Sequence, residues 1–382
     1  MKEIKVKYIT GKKIVFWFDG TSPRACRFNY ENYTDVCGFS GTCAVTLELA
    51  RKLAESKNTV YISHPDYGLK NTFIPGNSEF NGYLNYTYVT PDEDLLKDCD
   101  VFVFSFGFFC KDSYDILSKL KEGTIVCAFS HMYWSHSAIF DIHNYCKSKK
   151  LNFYYIVNSK TSKKHFISNP SEVKYIHVNN SISKPLFYEE INKHENLERK
   201  NQIIFTSSFQ RGGEMASLIA SHLGKNYVNF SYLPGPHGSG SVGKKELIKN
   251  LCESDYFVYT ASDMEGNFPT DTYCNAVHEA LACGVIVLTW DISCFKDVYG
   301  DNIVILDFPI LDFPFDPKSL GVGLHTIKKL IDPFEYLKFA EKIKEIDINT
   351  SLKNTLRDKG KKWALSNTYD IEYKNFLRIF EN

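Results

Sequence analysis

Two acids, Asp271 and Glu279, bracket seven residues in the stretch 262–288, SDMEGNFPTDTYCNAVHEALACGVIVL. The pattern between them predicts a turn from loop into helix, beginning near Tyr273 or Cys274. Asp271 then precedes a helix N-terminus, and Glu279 lies on the second turn. The unpaired backbone N–H groups around Cys274 and Asn275 make that N-terminus a ready anion site. Two acids with a phosphate-sized cradle between them suit a ligand with hydroxyls at both ends and a pyrophosphate in the middle. The plainer alternative is a helix-favouring acid at Asp271 and a solvated face residue at Glu279.

A second constellation competes with the first. Residues 238–245, GSGSVGKK, satisfy Gly-x-x-x-x-Gly-Lys and, on the same glycines, Gly-x-Gly-x-x-Gly. They follow a predicted strand and precede a helix beginning near Lys244. A phosphate-binding P-loop needs a Ser or Thr hydroxyl after the lysine, where this chain has Lys245. A dinucleotide fingerprint needs an acid about 20 residues on, and Asp263 is roughly in range. A loop that merely joins strand to helix, or that helps seat a nucleotide, explains the glycines as well. Among the histidines, His278-Glu279 lacks the second His of a zinc protease, since Ala282 stands in its place.

These residues need a scaffold, and the apolar pattern supplies one. Strand-length runs at 13–18 (KIVFWF), 59–63 (TVYIS), 100–106 (DVFVFSF), 123–131 (GTIVCAFSH) and 153–159 (FYYIVNS) alternate with helical patterns. A second series runs through 202–208 (QIIFTSS), 227–233 (YVNFSYL), 256–262 (YFVYTAS) and 284–290 (GVIVLTW). Alternation of this kind predicts βαβ units and mostly parallel sheets. The polar, charged stretch 184–200 separates the two series. The expected fold class is therefore α/β, with two doubly wound halves facing a cleft, where open parallel sheets bind their ligands. A C-terminal helix is expected with Tyr373, Phe376, Leu377 and Phe380 on one stripe.

Composition narrows the partners. The 382 residues carry 45 Lys+Arg against 45 Asp+Glu, so no overall field attracts nucleic acid or an anionic membrane. No apolar segment is long enough to span a bilayer. The 11 cysteines contain no Cys-x-x-Cys pair, which argues against zinc ribbons and redox motifs and favours a reducing, cytoplasmic setting.

The segment from Asp271 to Val287 resembles the signature of retaining GT-B glycosyltransferases, particularly family 4. That family carries an acid, seven residues, then Glu-Ala-x-Ala-x-Gly and an apolar strand. Here the tail is Glu279-Ala280-Leu281-Ala282-Cys283-Gly284, and the first acid is Asp where the family usually has Glu. Further stretches resemble the family in order: 38–54 (GFSGTCAVTLELARKLA), 128–131 (AFSH), 156–166 (IVNSKTSKKHF), 178–183 (VNNSIS) and 244–262 (KKELIKNLCESDYFVYTAS).

The resemblance implies a GT-B fold of two Rossmann-like domains. Residues 1–190 would bind the acceptor, 191–365 the nucleotide sugar, and 366–382 would cross back as a helix onto the first domain. It implies transfer of a sugar from a nucleotide diphosphate sugar, such as a UDP- or GDP-sugar, to a glycan, lipid-linked (glycolipid) or protein-linked acceptor, with retention. Glu279 would bind the ribose hydroxyls and Asp271 the donor sugar, with the backbone of Thr272, Tyr273, Cys274 and Asn275 touching sugar and phosphate. Arg211 would offset diphosphate charge. The family's second cation is missing from its usual place, leaving Lys244 or Lys245 as candidates. Gly38, Ser40 and Gly41 would let backbone approach the donor, and His131 would contact donor sugar or acceptor. No Asp-x-Asp stands where a metal-dependent transferase would place one, so no obligatory metal or other cofactor is expected. Many relatives act on lipid-linked acceptors, which leaves room for peripheral membrane contact. The competing readings are a P-loop NTPase or kinase using Lys244, and a GT-B-shaped binding protein without catalysis.

Overall fold

The strand Lys13–Trp17 (β1) is apolar on both faces, and both are covered. Ile14 and Phe16 enter one core, while Val15 and Trp17 enter the core on the opposite side of the sheet. The computed structural model describes residues 10–18, 30–36, 41–63, 78–79, 81–87, 91–105, 111–129, 136–166, 172–207, 211–230, 242–260, 273–291, 294–307 and 336–381. The first sheet continues with β2 (Thr59–Ser63), β3 (Ser78–Glu79), β4 (Leu84–Thr87), β5 (Val101–Phe104), β6 (Ile125–Phe129), β7 (Asn152–Val157) and β8 (Lys174–His177). Its order is β3-β4-β2-β1-β5-β6-β7-β8, parallel except for β3 against β4. The second sheet holds β9 (Gln202–Phe205), β10 (Asn226–Asn229), β11 (Tyr256–Tyr259), β12 (Ile286–Trp290) and β13 (Val304–Leu306). Its order is β10-β9-β11-β12-β13, parallel throughout.

Helices cover the sheets. Around the first lie α1 (Gly41–Glu55), α2 (Glu93–Asp98), α3 (Lys111–Lys119), α4 (His136–Ser148) and α5 (Lys160–Phe166). The second series comprises α6 (Lys184–Lys193), α7 (Gly213–Leu223), α8 (Lys244–Cys252), α9 (Asn275–Ala282) and α10 (Phe295–Tyr299). The chain ends with α11 (Leu337–Ile348), α12 (Thr350–Ser366) and α13 (Tyr369–Leu377). This is the pair of Rossmann-like α/β halves that the alternating pattern predicts.

The pattern misses four short strands, β3, β4, β8 and β13. Three of them end a sheet and β4 lies next to its end; each is only two to four residues long, and only β13 (VIL) is apolar throughout. The charged stretch 184–200 is not a plain separator either. Its first ten residues form α6, which opens with Pro185 and packs on α8 while burying Leu186, Phe187 and Ile191.

The last helix, α13, lies on α1 in the first half. Phe376 stacks on Phe16 of β1 with ring centroids 6.3 Å apart, and Tyr373 and Leu377 are buried beside it. Glu372 accepts from the Asn179 backbone N–H at 2.8 Å, and Ser181 donates to the Asn367 carbonyl at 2.6 Å. Ile182 and Thr368 form a parallel bridge, so the two chain passages between the halves run side by side. Eight described cysteines are buried and unbridged. No described helix is long and apolar enough to cross a membrane.

Candidate active site

In a parallel sheet each helix that follows a strand begins at the carboxyl edge. Gly41 at the start of α1, Gly213 at the start of α7, Lys244 at the start of α8 and Asn275 at the start of α9 all stand there. The strand order reverses at β1 in the first sheet and between β9 and β11 in the second. Such switch points open the crevices in which α/β sheets bind ligands.

The two carboxyl edges face each other and touch. The Asn275 side-chain amide donates to the Gly41 carbonyl at 3.1 Å. The N-termini of α1 and α9 therefore converge from opposite halves, and their free N–H groups and dipoles favour an anion between them. A second contact runs from Lys245 to Asp35 at 2.6 Å, docking the turn 30–36 on α8.

Arg211 lies at the second sheet's switch point, with Nη1 3.5 Å from the Tyr259 hydroxyl at the end of β11. The next residue, Gly212, caps α7 with φ 113°. A Cβ there would collide with Thr260 Oγ1 and stand 3.1 Å from the Thr260 backbone N. Gly212 thus lets the β9 and β11 loops approach closely enough to aim Arg211. Gly212→Ala is expected to lose about 1–3 kcal/mol of stability through backbone strain and overpacking. A shift in urea midpoint measures this, and an unchanged midpoint refutes the close-approach account.

Glu279 follows Asn275 by four residues, so both lie on one face of α9. Glu279 is not a solvated face residue; it is 7% exposed, and its Oε1 accepts from Lys244 Nζ at 2.6 Å. Lys244 is itself 6% exposed, and its ammonium stands over the Tyr33 ring, 5.5 Å from the centroid. Burial, with the charges of Glu48 and Glu279 nearby, pushes the Tyr33 phenol well above its ordinary range and keeps it neutral. Behind it Arg51 pairs with Glu48 at 3.0 Å, donates to Ser183 at 3.2 Å and lies over the Tyr30 ring.

The underside of α9 is held by a buried polar cluster. The His278 Nε2 meets the Ala364 carbonyl at 3.0 Å, and a carbonyl only accepts, so Nε2 carries the proton. Nδ1 then accepts from the Tyr273 hydroxyl at 2.8 Å. Tyr299 donates to the Cys274 carbonyl at 2.6 Å, and Trp363 packs on both His278 and Tyr299. Burial lowers the His278 pKa to about 4, so the ring is neutral at physiological pH. The cluster fixes the backbone at Cys274, the cap of α9.

Of the residues singled out by sequence, the described set brings Gly41, Asn275, Cys274, Tyr273, Glu279 and Lys244 to one region. Arg211 stands on the same carboxyl edge. Asp271, Thr272, His131, Gly38 and Ser40 lie outside the described residues, as does the glycine loop 238–241. Sequence reasoning missed the role of the segment around Tyr30 and Tyr33, whose i, i+3 tyrosines are its only local signal. It also missed His278 as a support. Among the described residues no group of three or more His, Cys, Asp or Glu side chains could hold a metal ion.

No family model and no curated protein matches the sequence. Solved structures do match. Sucrose-phosphate synthase from Thermosynechococcus elongatus superposes with a TM-score of 0.62 at 10% identity, covering 97% of this chain and 98% of that one. A glycosyltransferase from Rickettsia africae gives 0.61 at 12% identity, with 98% of each chain covered. Anabaena HepE, solved with UDP and glucose, gives 0.59 at 10% identity over 97% and 99%. At such identities the likeness is one of architecture: along nearly its whole length this chain has the GT-B fold.

Proposed function

We propose that the protein is a retaining glycosyltransferase that moves a sugar from a nucleotide diphosphate sugar to a glycan or glycolipid acceptor in the cytoplasm. The observation that carries this reading is the meeting of α1 and α9 at Gly41 and Asn275, with Glu279 one turn behind on the same face. A diphosphate at this meeting point would face the N–H groups of both helix N-termini, and a ribose would hydrogen-bond to the carboxylate of Glu279. By the family resemblance, Asp271 is the residue for the sugar hydroxyls, His131 for sugar or acceptor, and Gly38, Ser40 and Gly41 for the approach of backbone to the donor, with the first half (1–190) on the acceptor side. Residues 191–365 hold the donor, and 366–382 brace the first half.

As the glycosidic bond to the donor phosphate lengthens, negative charge grows on the departing nucleoside diphosphate. Arg211 and the N–H groups at Cys274 and Asn275 stabilise that charge. We assign the reaction no obligatory metal, because these groups supply positive charge and the sequence carries no Asp-x-Asp where a metal-dependent transferase places one. Closure of the two halves excludes water, which otherwise hydrolyses the donor. The P-loop reading is weakened because Lys245, which stands where a Mg²⁺-ligating Ser or Thr is needed, is engaged by Asp35.

Slow donor hydrolysis needs no acceptor, so a screen of UDP- and GDP-sugars tests the reading. Release of UDP or GDP from at least one donor, unaffected by EDTA, is the expected result. Binding of none of the nucleotide sugars by calorimetry leaves a GT-B-shaped binding protein. Mg²⁺-dependent ATP hydrolysis lost in Lys244→Ala establishes the NTPase instead.

A further inference from the structure

The N-terminal position of α8 is an odd place for a buried lysine. The helix dipole presents positive charge there, and burial removes the water that would solvate an ammonium. Lys244 is held in spite of both by Glu279 at 2.6 Å. A buried ion pair is a weak source of stability, because desolvation consumes most of the Coulomb attraction. Each partner is also a group that the donor would want for itself. Glu279 is the carboxylate read as the ribose ligand, and the diphosphate needs a second cation beside Arg211. In the unliganded pairing Lys244 Nζ and Glu279 Oε1 are taken up by each other.

We propose that Lys244 is a resident counter-ion that the donor displaces. The inference rests on the reading of Glu279 as the ribose ligand. The ribose diol donates two hydrogen bonds to the Glu279 carboxylate and takes the place of the ammonium. The released ammonium turns to the diphosphate at the N-termini of α1 and α9. No covalent bond changes and no proton moves; one ion pair is exchanged for another. Tyr33 gives the ammonium an aromatic face along which to move. Ribose recognition and phosphate neutralisation are then one event. A nucleoside alone must break the pair without satisfying Lys244, and a pyrophosphate alone must break it without satisfying Glu279.

The wild-type protein tests this without any substitution. Calorimetry with UDP or GDP first identifies the base that binds. Inorganic pyrophosphate is then titrated with and without the saturating matched nucleoside. The nucleoside is expected to tighten pyrophosphate about tenfold, and pyrophosphate to tighten the nucleoside by the same factor. Variants give a crossed pattern. Glu279→Gln releases Lys244, so pyrophosphate binds about tenfold tighter while the nucleoside weakens; Lys244→Met does the reverse. A merely structural pair predicts that each variant weakens both probes. Independent binding of the two probes to the wild-type protein, or variants that weaken both, overturns the exchange. If UDP or GDP binds and Glu279→Gln weakens it without that coupling, the ribose reading stands and the exchange alone falls. If neither UDP nor GDP binds, the nucleotide reading and the exchange fall together.

Discussion

Arg211→Ala is expected to lower donor turnover by roughly two to three orders of magnitude, the usual loss when one preorganised charge on a leaving group is removed. The loss should appear in kcat for donor hydrolysis, because in the proposed reaction the negative charge that Arg211 would meet grows as the bond breaks. Folding should survive. Arg211 is half-buried in a loop, and its 3.5 Å contact with Tyr259 is at the outer limit of a hydrogen bond. Circular dichroism and a thermal melt check that point. Arg211→Lys keeps the charge but loses the planar fork, so it should recover part of the rate. Near-normal turnover in the alanine variant removes Arg211 from the leaving-group side.

The second large effect concerns acid stability. His278 is neutral in the folded protein, with a pKa near 4 caused by burial, whereas an unfolded chain takes a proton near 6.5. Its contribution is present above about pH 6.5 and is lost as pH falls toward 4, because only the unfolded state gains the proton in that window. Between pH 7 and pH 5 this one residue should reduce stability by about 2 kcal/mol. Denaturant unfolding at both pH values, for wild type and His278→Gln, isolates the term. The glutamine has no titrating group, so its stability should change less over the same interval. An identical pH dependence in both proteins would show that the ring is protonated in place. Since Tyr273 and the Ala364 carbonyl fix this ring, early loss of donor binding on acidification is expected to accompany the loss of stability.

Much of the fold is legible in the sequence because its central strands are apolar on both faces. KIVFWF and DVFVFSF show it most plainly, since their alternate residues enter the two cores on either side of the first sheet. Strands at or near the sheet margins, such as LNYT in β4 and KYIH in β8, carry no such run: Leu84 and Tyr86 in the one and Ile176 in the other enter the core between polar neighbours. The helix start near Cys274 is legible from local chemistry, and α9 begins at Asn275. What lies across the chain is not. The Lys244–Glu279 pair joins residues 35 apart, and nothing local marks either side chain as buried. The covering tyrosines belong to a turn in the first half, and no spacing rule links them to a lysine in the second. His278 resembles a lone histidine on an apolar helix until the carbonyl of Ala364 arrives from α12.

The return of α13 has a consequence for how the chain comes into being. Phe376 and Leu377 fill a core begun by Phe16, so residues at opposite ends of a 382-residue sequence complete one body. During synthesis the first half must wait, missing a helix, while the second half is made and can fold as a contiguous unit. A nascent chain halted before residue 369 should therefore expose apolar surface on α1 and β1 and recruit chaperones, even though every described strand of both sheets has already been made.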